Sequence, residues 1–265
     1  MERIKITVPD NWSDITIEQY QQFTRLMESK KRDKTKMIEG VSILCNMEKS
    51  MVKRVAINDL EKVYSILMDM TKDEPSNVPL EKNVTYKNIK YGVIPNMSEM
   101  TTGEFIDLET YCVSGMTENL HKVMSILYRP LIEKPDLFGR YNVEKYNPSD
   151  EKKNNFLDFP MNYALGVISF FFSFRRKTYD RFAQLFGKTE VIQNEGEQNE
   201  RRITTEERYK EKWGWYPLLY DMANGDILKI DAVTKTKIYE ALTFLSYKQD
   251  RFVLEKQQMN PNKIA

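Results

Sequence analysis

From Tyr163 to Phe174 the chain reads YALGVISFFFSF, twelve residues without a charge. A helix that apolar has no face suited to water, so it must be buried nearly all round. Crossing a bilayer takes about 20 apolar residues, and the run is too short for that. It therefore predicts a buried helix in a folded body, starting near Met161 after the break at Pro160. Phe170, Phe171, Phe172 and Phe174 fill either a core or an interface, and they form the candidate interaction surface.

Most other apolar residues also recur at helical spacing. Thr16 caps a segment carrying Ile17, Tyr20, Phe23 and Met27, and the charged KKRDK at Lys30 to Lys34 ends it. Helices are expected over 35–46, with Ile38, Val41, Leu44 and Cys45 on one face, and over 58–71, with Leu60, Val63, Ile66, Leu67 and Met70. Asp73 to Pro79 reads as a connector. Thr101 is an N-cap, and Glu104 stands at capping-box spacing from it. Phe105, Leu108 and Cys112 make the buried stripe that follows, and Ser114-Gly115 stops it. A helix over 118–128 ends at Arg129-Pro130, and a loop with a short strand or hairpin runs on to Asp150, where Ser149 caps another helix.

Period-two alternation is rarer. Ile4 to Val8 reads as a short strand closed by Pro9. Val84 and Tyr86, a turn at Lys87-Asn88, and then Ile89, Tyr91 and Val93 read as a hairpin. The polar stretch Lys188 to Arg202, about 188–203, is expected to be an exposed and mobile loop. No period of 20 to 50 residues recurs, which argues against a solenoid. The fold class expected is mainly α with a minor β component: a multi-helix globular protein with one or two short hairpins. Its units are expected to be residues 1–72, helical with a short strand, and 80–265, a hairpin plus a helical domain, or else one continuous domain.

Lys212 to Val233, KWGWYPLLYDMANGDILKIDAV, holds two of the chain's three tryptophans. It reads as a structural corner. Trp213, Trp215, Leu218, Leu219 and Met222 would bury, Gly225 would make a helix C-terminal turn, and Asp231 would cap a last helix running to about Glu255.

Chemistry is hard to place on this chain. His121 is the one histidine, and with Cys45 and Cys112 it shows none of the spacings of a zinc site. Two cysteines in helix-like apolar contexts suit free thiols in a reduced compartment. A thiol–imidazole enzyme would have to use His121, and the only hint of a partner is Cys112, nine residues before it across a helix break. Neither a nucleophile elbow nor a phosphate-binding glycine loop occurs. Glu104, Asp107 and Glu109 could gather a cation, but helix capping and the helix dipole account for acids at those positions. With 40 basic and 39 acidic residues, no global field draws the protein to nucleic acid or an anionic membrane. The basic runs at 30–36 and 174–181 are short and interleaved with acids. No catalytic, cofactor-binding or metal-binding residue is nominated. The 14 methionines and 15 tyrosines suit adaptable protein interfaces.

Four phrases in order, ITVPDNWSDITIEQYQQF, MTTGEFIDLETY with KVMSILYRPLIEK, FPMNYALGVISFFF and YPLLYDMANGDILKIDAV, resemble proteins from the structural-gene blocks of tailed bacteriophages of Bacteroidetes, crAss-like phages and prophages among them. The resemblance spans most of the chain. It implies a non-enzymatic tail assembly chaperone-like or virion morphogenesis protein. Such a protein would bind other phage structural proteins of the tail or neck, possess no cofactor, and reside in the host cytoplasm or the virion, with a homo-oligomer as one form. A permanent ring, neck or hub subunit is the alternative, and an unfamiliar phage enzyme a third. The phrases contain no catalytic signature, so no functional residue carries over. The chain is also longer than the usual tail assembly chaperone.

Overall fold

The computed structural model describes residues 4–72, 78–148, 156–186 and 205–259. Among these, helices dominate and the strands form one small antiparallel sheet. The chain divides into two compact units, residues 1–95 with 111–171 and residues 96–110 with 172–265. The expected division near 73–79 is not the one observed. Each unit gathers segments distant in sequence, and local composition does not mark such a boundary. Residues 73–77, Ser149 and the 188–203 loop lie outside the described residues.

In the first unit, α1 (Ile17–Glu28), α2 (Asp33–Leu44), α3 (Lys49–Val52) and α4 (Ile57–Lys72) enclose Phe23, Met37, Val41, Leu44, Val52, Leu60 and Leu67. Thr16 caps α1 as expected, and with Gln19 it forms a full capping box that was not expected. Thr16 N–H donates to Gln19 Oε1 at 2.9 Å, and Gln19 N–H donates to Thr16 Oγ1 at 3.1 Å. Gln19 Nε2 also donates to the carbonyl of Ile43 at 2.8 Å, so one side chain caps α1 and fastens α2. Residues 4–8 join no ladder. Alternation makes a strand only where a partner edge is free, and here Val8 packs on the helical core instead.

The hairpin forms as expected, with β1 (Asn83–Tyr86) paired to β2 (Ile89–Val93) in the register Val84 to Tyr91. Lys87 and Asn88 both take positive φ, 47° and 63°, as a two-residue hairpin turn requires. A strand at Tyr128 to Pro130 was not expected. Helix α6 (Leu120–Leu127) stops because the residues before Pro130 are pushed out of the helical region, and β3 (Tyr128–Pro130) pairs antiparallel to β2. Behind the sheet, Phe159 meets Tyr86, Tyr128, Phe156 and Tyr163 with ring centroids 4.8 to 5.8 Å apart.

Helices α5 (Thr102–Val113) and α7 (Met161–Arg181) each contribute to both units, since the boundary falls inside them. In the second unit they are joined by α8 (Ala183–Phe186), α9 (Thr205–Trp213), α10 (Tyr216–Met222), α11 (Ile230–Thr234) and α12 (Ile238–Met259). The starts of α5 and α12 are tied together: Thr102 N–H donates to Thr236 O at 2.8 Å, and Ile238 N–H donates to Met100 O at 2.9 Å. These bonds satisfy backbone groups that a helix start leaves open. Asp231 does not cap α12, because it lies inside α11 and pairs with Lys235 at 2.6 Å.

Candidate functional site

Gly214, at φ +50°, separates α9 from α10, and Pro217 sits in the first turn of α10, where its missing N–H is tolerated. Tyr209, Trp213, Tyr216 and Tyr220 recur at spacings of four, three and four across this junction, and all four are exposed. The first three rings run on from one another, with 6.5 Å between Tyr209 and Trp213 and 5.9 Å between Trp213 and Tyr216. The Lys212 ammonium lies 5.0 Å from the Trp213 ring. Just beyond, Ile227 and Leu228 are exposed in a tight turn whose start is capped by Asp226 Oδ1, 3.0 Å from Leu228 N–H. Lys248 Nζ reaches Asp221 Oδ1 at 2.7 Å and brings α12 beside α10, so exposed Tyr220 and Tyr247 each stand one residue from that link.

One exposed apolar side chain is ordinary on a protein surface, and a contiguous run of them is a candidate contact surface. Tyrosine and tryptophan offer large contact area at small entropy loss, and interfaces are enriched in them.

The sequence nominations are divided by the structure. Phe171 and Phe174 are buried at 0% and 9% exposure, whereas Phe170 and Phe172 are both 41% exposed. The expectation of a helix buried all round is therefore corrected. Residues three apart share a face, so Phe171 and Phe174 point together into packed structure, and their neighbours one position away cannot follow. Trp213 is exposed rather than buried. Trp215 packs edge-on against Phe105 and Phe186 at 5.6 and 5.8 Å. Gly225 does serve the end of α10, by donating its N–H to Tyr220 O at 2.9 Å while Asn224 N–H reaches Asp221 O at 3.2 Å. That is a Schellman ending in which Asn224, at φ +53°, takes the left-handed position ahead of Gly225 at +75°.

The polar candidates have structural partners. Glu104 completes the capping box with Thr101, whose N–H it accepts at 2.5 Å. Glu109 is buried and accepts from Arg175 Nε at 2.5 Å, Arg175 Nη2 at 2.9 Å and Tyr179 Oη at 2.7 Å. Burial first, and then the Glu109 charge, push the Tyr179 phenol well above its ordinary range, so it stays a donor. His121 Nδ1 accepts from Gln21 Nε2 at 3.1 Å; burial, and then Lys122, hold its pKa below the usual histidine value. Burial raises the Cys45 thiol to about 11. Among the described residues, no three His, Cys, Asp or Glu side chains are grouped to hold a metal ion.

The aromatic ladder was not nominated from the sequence, although its spacing was there to be read. Its one tryptophan, Trp213, reads from the sequence as a core residue. Compared with protein-family models, with curated proteins and with solved structures, the chain matches none of them.

Proposed function

We propose that the protein is a non-enzymatic factor of bacteriophage tail or virion morphogenesis, acting through protein–protein contacts in the manner of a tail assembly chaperone. The observation that carries this reading is the exposed ladder Tyr209, Trp213, Tyr216 and Tyr220. The ladder supports a binding role, and the resemblance of the four quoted phrases supports the phage setting. Burial of such rings on a partner contributes about 25 cal/mol per Å² of apolar area removed from water. In the first unit Phe170, and in the second Phe172, are the exposed members of the phenylalanine run.

The test is co-purification of the tagged chain with the tail and neck proteins of a phage that encodes it. Wild type is expected to retain at least one of them, and Trp213→Ser with Tyr216→Ser to lose it while keeping its far-ultraviolet spectrum. Binding that survives the double substitution removes the ladder from the reading, and no binding to any tail or neck protein removes the reading itself. A permanent ring, neck or hub subunit would use the same surface. Peptide counts from purified particles separate the two, because a transient chaperone is absent from the mature virion.

A further inference from the structure

The turn after α10 contains Asn224-Gly225, and no other asparagine of the chain is followed by glycine. An asparagine side chain is open to attack at Cγ by the backbone nitrogen of the residue after it, and a side chain on that residue obstructs the approach. Glycine, with no Cβ, leaves the approach clear. Both residues are exposed, and among the described residues no hydrogen bond holds the Asn224 carboxamide.

What restrains the attack is the end of α10. The attacking group is the Gly225 N–H, which donates to Tyr220 O at 2.9 Å, while the Asn224 N–H donates to Asp221 O at 3.2 Å. Both residues are held at positive φ, 53° and 75°. Tyr220 also covers the glycine, since its Oη lies 3.1 Å from where a Gly225 Cβ would stand. Helix α10 is only 7 residues long, and helix ends open far more often than the body of a fold, so the restraint is intermittent.

We propose that Asn224 is a self-modification site, at which the chain deamidates when the end of α10 opens. The Gly225 nitrogen bonds to Asn224 Cγ, the Cγ–Nδ2 bond breaks, and the side-chain nitrogen leaves as ammonia with the proton from Gly225. Water then opens the cyclic imide at either of its carbonyls, leaving aspartate or isoaspartate. Either product weakens the helix end that delayed it. Aspartate sets a negative charge at the C-terminus of α10, where the helix dipole opposes it. Isoaspartate adds a backbone methylene between the two capping N–H groups, so the Gly225 N–H is displaced from Tyr220 O. Conversion is therefore one-way, and it loosens Tyr220. This chemistry is independent of the phage reading.

The test is to incubate the purified full chain in mildly alkaline buffer beside a synthetic peptide of Tyr216 to Lys229 and an Asn224→Gln variant, and to follow each by mass spectrometry. The tryptic fragment Trp213 to Lys229 of wild type is expected to gain the mass difference between an amide and an acid before any other asparagine-containing fragment does. The folded chain should react about tenfold more slowly than the peptide, because two capping bonds must break first. Asn224→Gln should stay unmodified there, since glutamine has to close a larger ring. Brief chymotrypsin treatment should cut incubated wild type after Tyr220 sooner than fresh wild type, and show no such change for Asn224→Gln. An Asn224 that keeps its amide in the folded chain while the peptide loses it, a folded chain that reacts as fast as the peptide, earlier conversion at another asparagine, or cleavage after Tyr220 unchanged by incubation would each overturn the proposal.

Discussion

Removing Arg175 and removing Glu109 break the same ion pair, yet the two changes should differ in magnitude. The carboxylate side chain of Glu109 is 3% exposed and that of Arg175 is 32% exposed. Opposite charges about 4 Å apart attract by about 4 kcal/mol at an effective dielectric constant near 20. After Glu109→Gln, the guanidinium can turn toward water and the amide still accepts from Tyr179, so the loss should be about 1–2 kcal/mol. After Arg175→Met, the carboxylate has no route to water and is left buried with the Tyr179 hydroxyl alone. Stranding a buried charge in this way costs about 3–5 kcal/mol. Replacing both groups, as Glu109→Leu with Arg175→Met, should return to within about 2 kcal/mol of wild type, because apolar pairs often match the ion pairs they replace.

Urea unfolding in a Trp12→Phe background isolates the relevant signal, since the two remaining tryptophans, Trp213 and Trp215, lie in the second unit. If Glu109→Gln proves as destabilising as Arg175→Met, the argument from unequal exposure is refuted. If the double replacement is as unstable as Arg175→Met alone, the stranded carboxylate is not the cause.

Three further outcomes follow from the geometry. A Cβ built on Gly92 would stand 2.6 Å from both Leu131 Cδ2 and Tyr141 Cε2, so Gly92→Ala should cost about 1–3 kcal/mol by overpacking and speed chymotryptic cleavage after Phe138 and Tyr141. Because the folded-state pKa of His121 is depressed by burial and then by Lys122, the unfolded chain binds the extra proton first on acidification. Stability from this group is complete above the ordinary histidine pKa near 6.5 and falls as pH drops below it, so the urea midpoint of His121→Asn should vary less with pH there than that of wild type. With its thiol raised to about 11, Cys45 is about 0.1% thiolate at pH 8; mass spectrometry of iodoacetamide-treated protein should find it alkylated far more slowly than a free cysteine, and rapid labelling would contradict the burial.

Elements whose partners lie within a few residues were legible in advance. The Thr16 cap, the Thr101 capping box, the Lys87-Asn88 hairpin and the stop after Val113 each depend on contacts no more than a few positions apart, and each formed. The errors fall where a distant partner decides. Ile4 to Val8 alternates as a strand should but pairs with no edge, while Tyr128 to Pro130 had no strand signature and pairs because β2 is beside it. Trp213 and Trp215 differ by two residues and have nearly the same local sequence. One is exposed and the other lies against Phe105, more than a hundred residues away.

The sequence by itself determined the class of fold, because helical periodicity and capping chemistry act over the three or four residues that close one turn. It also determined that the Tyr163 to Phe174 run is helical. It left undecided which of those phenylalanines meet solvent and which acid is buried. Those outcomes belong to the tertiary structure, for burial is a property of what packs from far along the chain. Glu109 and Arg175, 66 positions apart, have their roles only because α5 and α7 place them 2.5 Å from each other. Leu137 and Phe138 follow the same rule: they are in plain view in the sequence, and only the fold holds them out in water.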